Sequence, residues 1–264
     1  MNGILLIAQN TFREAIRQKL ILLVGLIALL LVFASKYLLK LDLGHEQLRF
    51  VFDFGSGALD FFGAIIAIVA TCQLFHSELE NKTVITLLSK PVGRLGFVFG
   101  KFVGTAAVLA LFSLIIAAAT CLMLFITYLG FGEAAERLSA GLETNYAGVF
   151  AYAFMQWLKL CAIAALAAFI CSLSRSLLFS VIISFMALSA SMMVAASDWL
   201  GAKANLGTQI AVIAFPDFQV FRVAEVFAFA PVSAQVMLVG TAYSAIYMAT
   251  FCLLGAWVFS RREF

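Results

Sequence analysis

Long apolar stretches restrict the fold of this chain more than any other feature. Six of them have eighteen residues or more, the length that an α-helix needs to cross about 30 Å of hydrocarbon. They are Leu20–Leu39, Phe54–Phe75, Phe102–Leu129, Phe150–Cys171, Leu177–Ala196 and Val236–Phe259. Because a bilayer offers the backbone no water to bond with, each stretch must be helical. The sequence therefore predicts an all-α, polytopic membrane protein with six transmembrane helices.

The composition favours the same fold class. Of the 264 residues, 64% are hydrophobic and 12% are charged, whereas a soluble domain carries about 25% charged residues. Water is thus the wrong solvent for most of this surface. We expect contacts with membrane lipid and no nucleic-acid partner.

Basic residues are distributed unevenly between the loops. Lysine and arginine accumulate on the cytoplasmic side of membrane proteins. With both termini cytoplasmic, ten lie inside: Arg13, Arg17, Lys19, Lys82, Lys90, Arg94, Lys101, Arg175, Arg261 and Arg262. Six lie outside: Lys36, Lys40, Arg49, Arg137, Lys203 and Arg222. This bias predicts cytoplasmic N and C termini.

The first nineteen residues have the pattern of an amphipathic helix. Arg13, Glu14, Arg17 and Gln18 occupy one face. The other face is apolar: Ile4, Leu5, Ala8, Phe12, Ala15, Ile16 and Leu20. Such a helix lies in the plane of the membrane interface, so we predict an uncleaved interfacial helix over residues 1–19.

Residues 197–235 form a segment too long and too apolar for a simple loop. Pro216-Asp217 interrupts it, and Arg222 and Glu225 are embedded in the apolar residues that follow. Backbone at membrane depth must be helical or covered by protein. We therefore predict an outer re-entrant segment of two short helices between spans five and six.

The most polar part of the chain is Phe75–Lys101, FHSELENKTVITLLSKPVGRLGFVFGK. Ser77 and Glu80 have the S-x-x-E spacing of a capping box, which predicts that the second span ends there. A short helix is expected over Glu78–Leu88, because Pro91 prevents its normal continuation. Apolar side chains beside charged ones indicate a protein partner. The alternative is a solvated connector resting on lipid headgroups.

Glycines follow this segment at intervals of four, at Gly96, Gly100 and Gly104. This spacing favours close helix packing. The surrounding GRLGFVFGKF resembles a nucleotide-binding P-loop only superficially, because Leu95 replaces a required glycine and Phe102 a required hydroxyl. The chain is therefore expected to have no phosphate-binding loop of its own.

Metal ligands are sparse in the sequence. The two histidines, His45 and His76, fall on opposite sides of the membrane in this topology, and the five cysteines include no C-x-x-C pair. No metal site is therefore expected. Since no His/Glu metal motif and no serine or aspartate dyad occurs at a suitable depth, an intramembrane enzyme is not expected either.

Two charged residues, Asp60 and Lys159, lie deep within predicted spans, whereas Lys36 lies near the outer end of the first span. Counted at 1.5 Å per residue from the cytoplasmic ends, both reach the outer half of the bilayer. A charge at that depth needs a partner or water. They either pair, or line an outward-opening cavity together, or else extend separately towards the outer headgroups, with Lys159 beside Trp157.

Several motifs together resemble the permeases of type-2 ATP-binding-cassette (ABC) exporters. TFREAIRQKL before the first span is similar to their interfacial helix, and FHSELENKTVITLLSKPVGRLGFVFGK to their first cytoplasmic loop. FPDFQVF after the fifth span and the terminal SRREF also match. The resemblance covers essentially the whole chain and is greatest to the branch that includes the nitrous-oxide-reductase maturation permease.

This resemblance implies a single permease domain over residues 1–264, in the bacterial inner membrane. Two permease copies would form the export pathway, and separate ATPase subunits would bind the ATP, so the chain would be no enzyme and carry no cofactor. Residues 76–101 would be the coupling loop. The expected ATPase contacts are Glu78, Glu80, Thr83, Leu87 and Leu88, with Arg94 and Lys101 at the headgroup boundary.

The sequence also allows a second class of function. A self-contained secondary transporter or channel would use charges near the membrane midplane, and Asp60 and Lys159 are the only indication of such charges.

Overall fold

The computed structural model describes residues 2–38, 47–80, 94–130, 144–199 and 216–261. Within these ranges the chain forms seven α-helices and one 3₁₀ helix, and no strand. The α-helices are α1 (Asn2–Arg17), α2 (Lys19–Leu38), α3 (Gln47–Glu80), α4 (Arg94–Gly130), α5 (Tyr146–Leu173), α6 (Leu177–Trp199) and α7 (Ala234–Ser260). The 3₁₀ helix covers Phe218–Ala228. The predicted all-α class is confirmed.

Five stretches of the described helices are long and apolar enough to cross a membrane. They are Lys19–Leu38, Gln47–Ser77, Gly96–Gly130, Tyr146–Leu173 and Ala234–Val258. The sixth predicted span corresponds to α6, in which Leu177–Met192 is a shorter apolar stretch. A multi-pass membrane protein is therefore confirmed, and a sixth crossing stays a prediction.

Helix α5 is the centre of the bundle. It packs against α3, α4, α6, α7 and the 3₁₀ helix. In its most apolar part 83% of the residues are buried, against 22% in α2 and in α7. Small residues on α5 such as Ala164 and Ala168 are fully covered and let the neighbouring helices approach closely. Helices α2 and α7 in turn present most of their apolar side chains outward.

Helix α1 packs along α4 where the glycines recur. A Cβ atom added to Gly100 would lie 2.8 Å from Ile7 Cγ2, and one added to Gly104 would lie 2.7 Å from Thr11 Cγ2. Only glycine allows this approach without a shift of α1. Close helix packing at this spacing was predicted; the partner helix is α1.

The buried side of α1 differs from the predicted apolar face. Ile7, Ala8, Thr11 and Ala15 are buried, whereas Leu5 is 65% exposed. The helix thus has an inner side against α4 and an outer side that is partly apolar and partly polar.

Helix α3 extends beyond the predicted second span in both directions. It begins at Gln47, so Arg49 and Asp53, predicted in a loop, are helical. The apolar stretch ends at Ser77, close to the predicted end of the second span, but the helix itself continues to Glu80, so the predicted capping box at Ser77 and Glu80 is not formed. The single hydroxyl proton of Ser77 is shared between the Leu74 carbonyl, 3.3 Å away, and a carboxylate oxygen of Glu14 on α1, 3.0 Å away. Ser77 is thus a donor within the helix and does not accept a bond as a cap. Of the predicted helix over Glu78–Leu88, residues 81–88 lie outside the described ranges.

Candidate functional site

A row of polar residues runs along one face of α3. Arg49, Asp53, Ser56 and Asp60 follow one another at intervals of four, three and four residues, which places them on the same side of an α-helix. The row extends about 16 Å along the helix axis at 1.5 Å per residue. It is the polar lining of a cavity that continues onto three other helices.

This charged cavity has a volume of about 560 Å³ and is partly open. Helix α5 contributes Tyr152 and Lys159, and α6 contributes Met192. From the 3₁₀ helix come Gln219, Arg222 and Glu225, which share a side because residues three apart eclipse one another in that helix. Three walls therefore present polar side chains to one space.

Asp60 and Lys159 meet at the cavity. The Lys159 ammonium donates to Asp60 Oδ1, and the lysine side chain is 3% exposed while the carboxylate is 36% exposed. Lys159 lies halfway along α5. Two of the predicted alternatives are found together: Asp60 and Lys159 form a pair, and both line the same cavity. Lys159 does not extend separately beside Trp157, because its ammonium contacts Asp60 and its side chain is 3% exposed. Trp157 donates its ring N–H to the Ala106 carbonyl of α4 at 2.9 Å.

The ionisable groups of the cavity balance in number. Arg49, Lys159 and Arg222 supply three positive charges, and Asp53, Asp60 and Glu225 supply three negative charges. Arg222 Nε lies 3.4 Å from Glu225 Oε1, and its Nη1 lies 3.3 Å from Gln219 Oε1. The lining therefore has both signs of charge and a formal sum of zero.

The 3₁₀ helix is anchored at both ends. At its start the Asp217 carboxylate accepts from the Gln219 N–H at 2.8 Å, and the Asp217 N–H donates to the Tyr243 hydroxyl of α7 at 2.7 Å. At its end the Asn145 N–H donates to the Ala228 carbonyl at 2.9 Å. Asn145 also caps α5 through the Gly148 N–H. These bonds hold Gln219, Arg222 and Glu225 against the cavity.

A second polar group lies at the other end of α3, and we call it the polar junction: Glu14, Ser77 and Lys101. The Ser77 hydroxyl of α3 donates to Glu14 Oε1 at 3.0 Å. Lys101 Nζ of α4 lies 3.7 Å from Glu14 Oε2, and Lys101 is fully buried. One carboxylate on α1 thus connects α3 and α4 close to where the first ends and the second begins.

These features can be compared with known proteins. The sequence profile of the ABC-2 family transporter proteins matches residues 5–264. The chain belongs to this family. It is accordingly a permease component of an ABC transporter, a membrane transport part that is not itself catalytic. No curated protein matches the chain.

In this ABC-2 family protein the described residues include only part of the predicted coupling set. Glu78 and Glu80 lie in the last turn of α3, and Arg94 is the first residue of α4. Thr83, Leu87 and Leu88 lie outside the described ranges. Lys101 is buried between helices in the polar junction, where Glu14 supplies a negative charge, and its place at the headgroup boundary stays a prediction.

The polar junction was not predicted from the sequence, nor was the part of the cavity lined by Arg49, Asp53 and the 3₁₀ helix. The signal for the cavity was available as the spacing of Arg49, Asp53, Ser56 and Asp60, but it was divided between a predicted loop and a predicted span. Glu14 gave no signal, because its partners are 63 and 87 positions away in the chain. No three His, Cys, Asp or Glu side chains in the described part of the chain are placed to hold a metal ion.

Proposed function

We propose that this chain is the membrane-spanning permease subunit of an ABC exporter, coupled to a separate ATPase that binds and hydrolyses the ATP. Two copies would form the export pathway, each with six spans. The family match over residues 5–264 carries this proposal. Because the resemblance of the whole chain is greatest to the branch of the nitrous-oxide-reductase maturation permease, we place the chain in that branch.

The orientation follows from the basic residues. An excess of ten over six favours cytoplasmic termini in the bacterial inner membrane. Residues 81–93 then face the cytoplasm, and the charged cavity opens towards the outer side. The outer re-entrant segment over residues 197–235 would include the 3₁₀ helix, and α1 would be the interfacial helix.

The polar junction supports a mechanical role for residues 81–93. This segment leaves α3 after Glu80 and enters α4 at Arg94. Because Glu14 bonds to Ser77 and pairs with Lys101, a force on the segment acts on α1, α3 and α4 together. ATPase closure would in this way move three helices at once. The contacts would be Glu78, Glu80, Thr83, Leu87 and Leu88, with Arg94 beside them.

The second permease copy would pack on the least covered helices. Leu26 and Leu30 of α2 and Leu238, Ile246 and Leu253 of α7 are each more than half exposed. Apolar surfaces of this kind suit either lipid tails or another copy of the same chain. We place the copy on part of them and lipid on the rest.

The test is to change the coupling segment and nothing else. Glu80→Lys and Leu87→Asp are expected to weaken ATPase binding at least tenfold in co-purification, or to separate ATP hydrolysis from transport, while the purified permease unfolds at the same temperature. Arg175→Glu is the matched control, since it reverses an exposed charge on the same predicted side, between α5 and α6. Normal ATPase binding and normal transport in both segment variants would overturn the proposal.

One observation favours a second candidate, a self-contained secondary transporter. The Asp60–Lys159 pair lies halfway along α5, and intramembrane charges of this kind mark ion and substrate sites. Reconstitution of the permease alone in liposomes discriminates between the two. Transport driven by an ion gradient, without ATPase or ATP, would support the second candidate and exclude the first.

A further inference from the structure

We propose that the charged cavity binds a dipolar group with one ammonium, one phosphate or carboxylate, and no net charge. This inference rests on the proposed function, because it names the class of solute or lipid headgroup that the permease takes. The dimensions of the cavity, its charge balance and the unequal strength of its ion pairs point to this chemistry.

The size and lining of the cavity favour a polar ligand. Its volume of about 560 Å³ is within the 300–1,000 Å³ usual for small-molecule sites. Such sites are mostly apolar, but ten of the twelve residues that line this one, all except Met192 and Phe218, are charged, polar or glycine. A largely apolar molecule would displace the water that reaches these polar groups and offer no hydrogen bond in return, which is costly.

The charge balance favours a ligand without net charge over an ion of a single sign. The three positive and three negative groups of the lining sum to zero. A lone anion or cation would add an uncompensated charge to a space between apolar helices, where charge is expensive. A dipolar group adds none and can contact both signs.

The arrangement of the charges suits two contacts at once. Arg49 and Asp53 lie on the α3 wall, and Arg222 and Glu225 on the 3₁₀ wall, so each wall offers a guanidinium and a carboxylate. Guanidinium groups bind phosphate or carboxylate through paired hydrogen bonds. Carboxylates accept hydrogen bonds from ammonium.

The pairs within the cavity differ in how easily they exchange partners. Arg222 and Glu225 are 63% and 40% exposed and 3.4 Å apart, and exposed pairs of this kind are weak. The Lys159 side chain is 3% exposed and in direct contact with Asp60. A ligand therefore replaces the contact between Arg222 and Glu225, whereas the contact between Asp60 and Lys159 is kept.

The experiment compares two probes that differ in one charge. Glycerophosphoethanolamine has a phosphodiester and an ammonium; glycerophosphoglycerol has the phosphodiester alone. Both are titrated against the permease, purified with its ATPase in a nonionic maltoside detergent, by isothermal calorimetry. We expect the ethanolamine probe to bind about tenfold more tightly, since one additional charged hydrogen bond contributes that much.

Variants of the 3₁₀ helix change the preference between the two probes, which a purely structural role of these residues would not change. Glu225→Gln leaves the lining with a formal charge of +1, so the preference should invert towards glycerophosphoglycerol. Arg222→Gln leaves it at −1 and removes a phosphate donor, so both probes should bind about tenfold more weakly. Arg175→Gln, outside the cavity, should leave both affinities unchanged.

A lipid arm distinguishes the two sources of the ligand. Nanodiscs of phosphatidylethanolamine and of phosphatidylglycerol, with identical acyl chains, are compared as competitors. Competition by the ethanolamine lipid alone indicates a lipid headgroup, and no competition indicates a free solute; either supports the shared chemistry. Equal binding of the two soluble probes, or binding of neither, overturns the proposal. ATPase retention, measured on the same preparation, separates this result from a failure of the proposed function.

Discussion

Two lysines in the described part of the chain are buried between helices, and each is paired with a carboxylate that is about one-third exposed. Lys159 contacts Asp60 at the charged cavity, and Lys101 lies 3.7 Å from Glu14 at the polar junction. The chemistry is the same, but the surroundings differ. Asp60 borders open volume, whereas Glu14 also accepts a hydrogen bond from Ser77 and connects three packed helices.

The difference shows how one kind of ion pair can serve two purposes. At the cavity a direct contact neutralises a charge that would otherwise lie halfway along a membrane helix. At the junction the separation is longer, and the carboxylate divides its two oxygens between Ser77 and Lys101. The first pair preserves a polar space inside apolar helices; the second holds helices together.

The largest loss of stability is expected from Asp60→Asn. It leaves the Lys159 ammonium, 3% exposed, without its carboxylate. Breaking a buried pair in this way lowers the free energy of unfolding by about 3 kcal/mol. The measurement is reversible unfolding of the detergent-purified permease in increasing dodecyl sulfate, followed by circular dichroism.

The double variant Asp60→Asn/Lys159→Met is the control for this prediction. With both charges removed, no unpaired ammonium remains, so we expect recovery of more than half of the loss. The exchanged pair Asp60→Lys/Lys159→Asp should recover at least part of it. If both double variants are as unstable as the worse single variant, the contact does not stabilise the helices and the comparison fails.

An intermediate effect is expected from Glu14→Gln, about 1–2 kcal/mol in the same measurement. The amide oxygen still accepts from Ser77, and only the charge facing Lys101 is lost. Glu14→Ala removes both interactions and should cost more. Because the junction is proposed to transmit force, Glu14→Gln should also lower the amount of transport per ATP hydrolysed.

Two results for Glu14→Gln would contradict this prediction. A loss as large as that of Asp60→Asn would show that a pair 3.7 Å apart and one in direct contact are equivalent here. A Glu14→Gln protein with normal stability and normal coupling would remove the junction from the mechanism.

The fold class could be predicted from sequence because membrane-spanning helices are determined locally. About twenty apolar residues in a row form a helix wherever they meet lipid, and the five described helices that are long and apolar enough to cross a membrane follow from that. The glycine spacing at Gly100 and Gly104 likewise predicted close packing. It did not identify α1 as the partner, because the partner depends on tertiary structure.

Other features depended on contacts that no local pattern records. The capping-box reading of Ser77 and Glu80 was wrong because α3 continues through them, and Ser77 has a partner 63 positions away. The pairing of Lys101 with Glu14 was not predicted, since Glu14 lies on another helix, 87 positions away in the chain. The pairing of Asp60 with Lys159, 99 positions apart, remained one of several alternatives, because depth alone cannot show which faces meet.

The smallest loss of stability is expected from Arg222→Gln. This variant tests whether the exposed Arg222–Glu225 pair contributes less to stability than the covered Asp60–Lys159 pair. The Arg222–Glu225 pair is 63% and 40% exposed, so water replaces it readily and we expect a change below about 0.5 kcal/mol in the unfolding measurement. A glutamine at this position can still bond to a neighbouring side chain. A loss above about 2 kcal/mol would make this pair structural, as the Asp60–Lys159 pair is. A ligand could then not replace the contact between Arg222 and Glu225, and the proposed binding site would lack the weak ion pair that it needs.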